Sequence, residues 1–131
     1  MADIALLGWM DALVGYVRSG HPDLTNRQMA LLMLVYLTPG PHTVRGLARN
    51  LGVSKPVVTR ALNTLGTLGY LRRERDESDR RNIFVARTNT GADFLDEFAD
   101  LIDSEVVPPD VAAGEQPGRV GFLLKRHRKA A

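Results

Sequence analysis

Two groups of side chains in this sequence have the types and spacing for chemistry, and in both that chemistry is anion recognition. Ser54, Lys55, Pro56, Thr59, Arg60 and Asn63 share an outward face if residues 54–66 are helical, placing hydroxyls, an amide and two cations on its front half. Arg72, Arg73, Arg75, Arg80 and Arg81 crowd the stretch that follows, and Asp79 stands two residues before Arg81, close enough to orient its guanidinium. Such donors suit a duplex, where phosphates position a protein and base edges specify it. The parts for catalysis are missing. The chain has no cysteine, hence no thiolate nucleophile and no Cys-based zinc site. His21, His42 and His127 stand singly, no glycine-rich phosphate loop occurs, and Asp93, Asp96, Glu97, Asp100 and Asp103 form a solvent-facing set with no partner cluster. The sequence predicts no enzyme, no metal and no cofactor.

Charge is segregated along the 131 residues in a way that the net +2 conceals. Residues 43–87 carry ten bases against four acids, and residues 88–118 carry eight acids and no Lys or Arg. A basic middle is the electrostatic footprint of a polyanion partner, although blocks of this kind also occur as ordinary solvated faces. The apolar stretch from Ile4 to Val17 is interrupted by Asp11 and is shorter than a membrane span, and no basic residue precedes it as in a secretory signal. A reducing cytoplasm and no membrane are the expectation.

The elements that must position these residues are mostly helical. Residues 3–18 read as a first helix with Leu6, Met10, Leu13 and Val17 on one stripe and Trp9 and Tyr16 flanking it. Thr25 and Gln28 form the capping-box pattern before a second, buried helix that ends at Pro39-Gly40-Pro41. Thr43 caps a third helix, and Ser54 a fourth that closes at Gly66 and Gly69. Residues 70–75 and 82–87 suit two strands around a polar tip, with Ile83 and Val85 on one face. Thr88 or Thr90 starts a fifth helix with Phe94, Leu95, Phe98, Leu101, Ile102 and Val106 inward, stopped by Pro108-Pro109. The fold class is mainly α with a small β-hairpin.

The third and fourth helices have helix-turn-helix spacing. Ala48 is small where the second helix must cross the first, Gly52 permits the turn, and Val58 locks the pair. An ordinary αα-corner with a polar face is the bland alternative, as a solvated charged turn is for the hairpin. Two surfaces are left over. Leu6, Trp9, Met10, Leu13 and Val17 make one, and Phe98, Leu101, Ile102 and Val106 the other, so a homodimer is expected to bury both. Residues 1–106 are expected to form the DNA-binding and dimerisation domain, and 107–131 a proline-containing linker with a basic C-terminal tail.

These residues resemble the MarR (multiple antibiotic resistance regulator) family over roughly Leu24 to Ala99. The likeness is carried by Val44-Arg45-Gly46-Leu47-Ala48, by Ser54-Lys55-Pro56-Val57-Val58-Thr59-Arg60, by Leu65 to Leu71, and most diagnostically by Asp79-Arg80-Arg81 followed by Thr88 to Gly91. It implies a winged helix-turn-helix with helical dimerisation elements at both ends, and a homodimeric transcription regulator, a repressor, on a pseudo-palindromic operator. Ser54, Lys55, Pro56, Thr59 and Arg60 would then face the major groove. Arg81 would enter the minor groove with Asp79 as its orienting partner, and Asn63, Arg73, Arg75 and Arg80 complete the expected DNA contacts. A small-molecule effector is a further partner of such a protein. The sequence departs from the family at Gly46, in place of a polar residue, at Arg87, in place of leucine, and at Pro108-Pro109, which shorten the C-terminal helices. A winged helix used for protein interaction without specific DNA binding is the alternative.

Overall fold

Local signals set the element boundaries. The computed structural model describes the backbone of residues 3–106 and the side chains of residues 3–102. The expected linker and basic tail, and the side chain of Val106, lie outside the described residues. The helices are α1 (Ile4–Arg18), α2 (Asn26–Leu37), α3 (Val44–Leu51), α4 (Lys55–Thr67) and α5 (Asn89–Val106), and the strands are β1 (His42–Thr43), β2 (Leu71–Arg75) and β3 (Ile83–Arg87). The described residues fall into two compact units, one spanning 24–94 and the other combining the N-terminal residues through 23 with those from 95 onward.

In the 24–94 unit the caps form as the residue types require. Thr25 Oγ1 accepts the Gln28 N–H at 3.1 Å while Gln28 Oε1 accepts the Thr25 N–H at 2.9 Å. Thr43 Oγ1 accepts the Gly46 N–H at 3.0 Å. Gly52 adopts φ 67°, a left-handed conformation suited to glycine, and turns the chain from α3 toward α4. Ala48 and Val58 are both buried, and Leu31, Leu32, Val35, Tyr36, Leu47, Leu62 and Leu65 are among the residues that share the core with them.

Two expectations change here. Ser54 occupies the N-cap of α4, but its side chain makes no capping bond. The sheet has three strands in the order β1-β3-β2, all neighbours antiparallel, because His42 and Thr43 pair with Val85 and Phe84. The Ile83 side of β3 is only partly covered: Val85 is buried and Ile83 exposed.

A junction behind the wing explains the Thr88 to Gly91 motif. The Tyr36 hydroxyl accepts the Thr88 N–H at 2.8 Å and lies within hydrogen-bond distance of the Tyr70 and Thr88 carbonyls. Thr88 Oγ1 donates to the Gly69 carbonyl at 2.6 Å and accepts the Gly91 N–H at 3.0 Å, so Thr88, not Thr90, caps α5. A Cβ at Gly91 would run into the Tyr36 hydroxyl and the Tyr70 carbonyl oxygen. Arg87 has a structural task of its own: Nε reaches the Val35 carbonyl at 2.8 Å and Nη2 the Thr38 carbonyl at 3.1 Å, satisfying the C-terminal end of α2. Burial lowers its pKa from the ordinary guanidinium value.

In the other unit, Ala12 and Tyr16 form the buried side of α1, and Tyr16 donates its hydroxyl to the Pro22 carbonyl. Phe98 is 3% exposed and meets Tyr16 and Trp9 edge-on, with ring centroids 5.5 and 6.5 Å away. This corrects its assignment to a dimer surface, because the ring is already covered by its own chain. Leu101 and Ile102 are half-buried, and Leu101 stands over Gly15. His21 Nε2 pairs with Glu97 Oε2 at 2.6 Å.

Candidate nucleic-acid interface

Helix α4 begins with Pro at its first turn, which suits a position with no intrahelical N–H acceptor. Its inner stripe is Val58, Ala61, Leu62 and Leu65, all buried. Every residue expected on the outer face is exposed, namely Ser54, Lys55, Pro56, Thr59, Arg60 and Asn63. No acid stands in the first turn, so the helix N-terminus and Lys55 present positive potential together.

The wing places its cations by period-two alternation. Arg73 and Arg75 pair in register with Val85 and Ile83, while Arg72 and Glu74 fall on the opposite face. Arg72 Nη2 binds Glu74 Oε1 at 2.7 Å, so its charge is locally compensated, whereas Arg73 and Arg75 are exposed. At the tip, Asp79 Oδ1 accepts the Arg81 N–H at 3.1 Å and lies 3.5 Å from Arg81 Nε, leaving the outer guanidinium nitrogens free of that carboxylate. Arg80 and Arg81 are exposed.

Sequence reasoning missed what holds this tip. Asp76 Oδ1 accepts both the backbone N–H and the hydroxyl of Ser78, at 2.9 and 2.7 Å, and Oδ2 accepts the Asn82 amide at 3.3 Å. The Ser78 hydroxyl bond is the main cause holding the Asp76 pKa below its ordinary value. An Asp two residues before a Ser in a turn is a readable Asx-turn signal. Tyr36 and Arg87 had no comparable signal, since their partners are remote in sequence. The expected dimer residues on α1 are all open: Leu6 is 66% exposed, Met10 50%, Val17 75%, and Trp9 and Leu13 stand out beside them. Ile4, Leu7 and Val14 extend this apolar face beyond the expected set. Among the described residues no three Asp, Glu or His side chains gather as a metal site, and no helix is long and apolar enough to cross a membrane.

Comparison with known proteins agrees with this geometry. Residues 23–82 match the sequence profile of the MarR family. The chain is 36% identical over 87 residues to the transcriptional regulator AdcR of Streptococcus pneumoniae; the match covers 66% of this chain and 58% of that protein's length. Among solved structures, a transcriptional regulator from Thermotoga maritima superposes with a TM-score of 0.66 at 22% identity, covering 97% of this chain and 85% of that one. Reduced AbfR bound to DNA gives 0.60 at 22% identity, covering 94% and 80%. The helix-turn-helix, the arginine-bearing wing and the matched segment agree: residues 23–82 are similar to the MarR family, and the chain has a winged-helix fold.

Proposed function

We propose that this protein is a sequence-specific double-stranded DNA-binding transcription regulator, a repressor, that acts as a homodimer on a pseudo-palindromic operator. One observation carries the reading. Ser54, Lys55, Pro56, Thr59, Arg60 and Asn63 stand exposed on α4, and the same unit presents a wing whose Arg81 is tied by its backbone and Nε to Asp79. Helix α4 enters the major groove, its hydroxyls and amide reading base edges. Arg81 enters the adjacent minor groove, where narrow stretches concentrate negative potential. Arg73, Arg75 and Arg80 contact phosphates. The similarity to AdcR, a transcriptional regulator, and to AbfR, whose structure is bound to DNA, supports the class of function.

The exposed apolar face of α1 supports the second half of the reading. Leu6, Trp9, Met10, Leu13 and Val17 cost free energy when hydrated, at about 25 cal/mol per Å² of apolar surface. Covering them against a second copy, with Leu101, Ile102 and Val106 alongside, makes a two-fold dimer that offers two α4 helices to one duplex. Such a dimer must set them about 34 to 36 Å apart to meet successive major grooves. Selection of bound duplexes from a randomised pool tests the whole reading. Enrichment of an inverted repeat with half-sites about ten base pairs apart supports it; recovery of no consensus, or of a single unrepeated half-site, contradicts it.

A further inference from the structure

The first turns of α2, α3 and α4 contain no acid and instead carry Arg27, Arg45 and Lys55. A cation there is repelled by the unpaired amide dipoles of its own helix, so it does nothing for the helix that bears it. At α2 the structure supplies a place for an anion. A cleft of about 200 Å³ lies between α2 and α4, lined by Thr25, Arg27, Gln28, Val57, Arg60 and Thr64. Arg27 of α2 and Arg60 of α4 therefore both line this cleft. Both are exposed, and neither guanidinium has a hydrogen-bond or ion-pair partner among the described residues.

We propose that Arg27 and Arg60 form a seat for one phosphate of the DNA backbone, so that Arg60 positions the protein on the duplex and does not read a base. The inference rests on the DNA-binding reading above and adds to it a contact from outside the helix-turn-helix and the wing. The guanidinium fork matches two oxygens of a phosphodiester, and two forks from different helices fix the register of α4 along the strand. Sequence discrimination is left to Ser54, Lys55, Thr59 and Asn63. Phosphate and base contacts leave different signatures: loss of the first weakens every sequence alike and flattens the salt dependence, and loss of the second erases preference.

Fluorescence anisotropy on the full chain separates them, with two probes, a duplex selected from a randomised pool and its scrambled counterpart, between 50 and 200 mM salt. Arg27→Gln and Arg60→Gln should each weaken binding to both duplexes by the same factor. Combined, they should lower the slope of log affinity against log salt by about 0.9 per bound protomer. Arg27→Gln should leave the melting temperature unchanged or slightly raised, because it removes a cation from the start of α2. Arg18→Gln, at the end of α1, controls for net charge and should leave the slope as it was. An unchanged slope in the double variant overturns the seat. So does loss of preference for the selected duplex in Arg60→Gln, which would make Arg60 a base reader, or a lower melting temperature in Arg27→Gln. If the unaltered chain prefers neither duplex, specific recognition fails while the slopes on the scrambled probe still decide the seat. If it binds neither, both ideas fall.

Discussion

Replacing Gly91 with alanine should cost far more than a methyl group on a helix ordinarily does. Gly91 lies in the first turn of α5, where alanine is normally favoured over glycine by roughly 0.5 to 1 kcal/mol. Here the added Cβ would meet the Tyr36 hydroxyl, the Tyr70 carbonyl oxygen and, at 2.9 Å, Tyr36 Cζ. The carbonyl belongs to the backbone leading into β2 and cannot swing aside as a side chain can. Overpacking of this kind costs about 1 to 3 kcal/mol. Pushing the Tyr36 hydroxyl away also strips the Thr88 N–H of its acceptor, for about 1 to 3 kcal/mol more. A destabilisation of about 2 to 5 kcal/mol is therefore expected, with a drop in melting temperature on the order of 10 °C or more. Tyr36→Phe alone should cost about 1 to 3 kcal/mol through the same N–H. The double variant should be less destabilised than additivity requires, by about 0.5 to 2 kcal/mol, because one of the two oxygens that the methyl strikes, the Tyr36 hydroxyl, is gone while the Tyr70 carbonyl remains. Urea unfolding followed by circular dichroism on the four proteins measures the cycle. A Gly91→Ala variant within about 0.5 kcal/mol of the unaltered chain, or strict additivity, would refute this account of the junction.

Other consequences are more local. Arg81→Ala should weaken binding to a selected duplex by about 1 to 3 kcal/mol with little change in melting temperature, since the side chain is exposed and, among the described residues, bonded only to Asp79. A large loss of thermal stability would instead make it a structural residue. Leu13→Asp should weaken self-association by about 10² or more, because burying each leucine in a dimer contributes about 1.5 to 3 kcal/mol and there are two copies; sedimentation at micromolar concentration reads the shift. The unaltered chain sedimenting as a monomer contradicts the dimer. The Asp76 carboxyl titrates below its ordinary value of 3.8, so its hold on the wing tip is complete above that pH and is lost only as pH falls through the lowered value. Ser78 amide shifts in NMR should stay constant from neutral pH down to about 4 and move below it; movement between pH 5 and 7 would point to another group.

What could be read in the sequence was what its neighbours determine. Thr25 with Gln28, Thr43 and Gly52 act within a few residues, and all form as their types require. Ser54 marks the start of α4 correctly, but residue type places the hydroxyl at the cap without deciding whether it turns inward, and here it does not. The strand His42–Thr43 is too short to show alternation, and its partners in β3 are remote in the chain, so only the folded sheet reveals it. Helix α1 is apolar on most sides, and periodicity cannot choose which side packs within the chain. Packing selected Ala12 and Tyr16, with Phe98 against them, and left Leu6, Met10, Leu13 and Val17 outside. Arg87 was visible as a departure from leucine, yet its use became clear only where α2 ends beside it. The outward set on α4 was legible because a helical stripe defines its complement. The Asp79–Arg81 contact was legible because it spans two residues.

The central claim is that this winged helix recognises a DNA sequence. Equilibrium binding of the full chain to a selected inverted-repeat duplex and to its scrambled counterpart, each at 50 and 200 mM salt, tests it most directly. The account predicts affinity falling by about 10³ to 10⁵ over that salt range for several phosphate contacts per dimer, with the selected duplex bound at least about 10³-fold more tightly than the scrambled one at the higher salt. Equal affinity for the two duplexes, or affinity indifferent to salt, would contradict it.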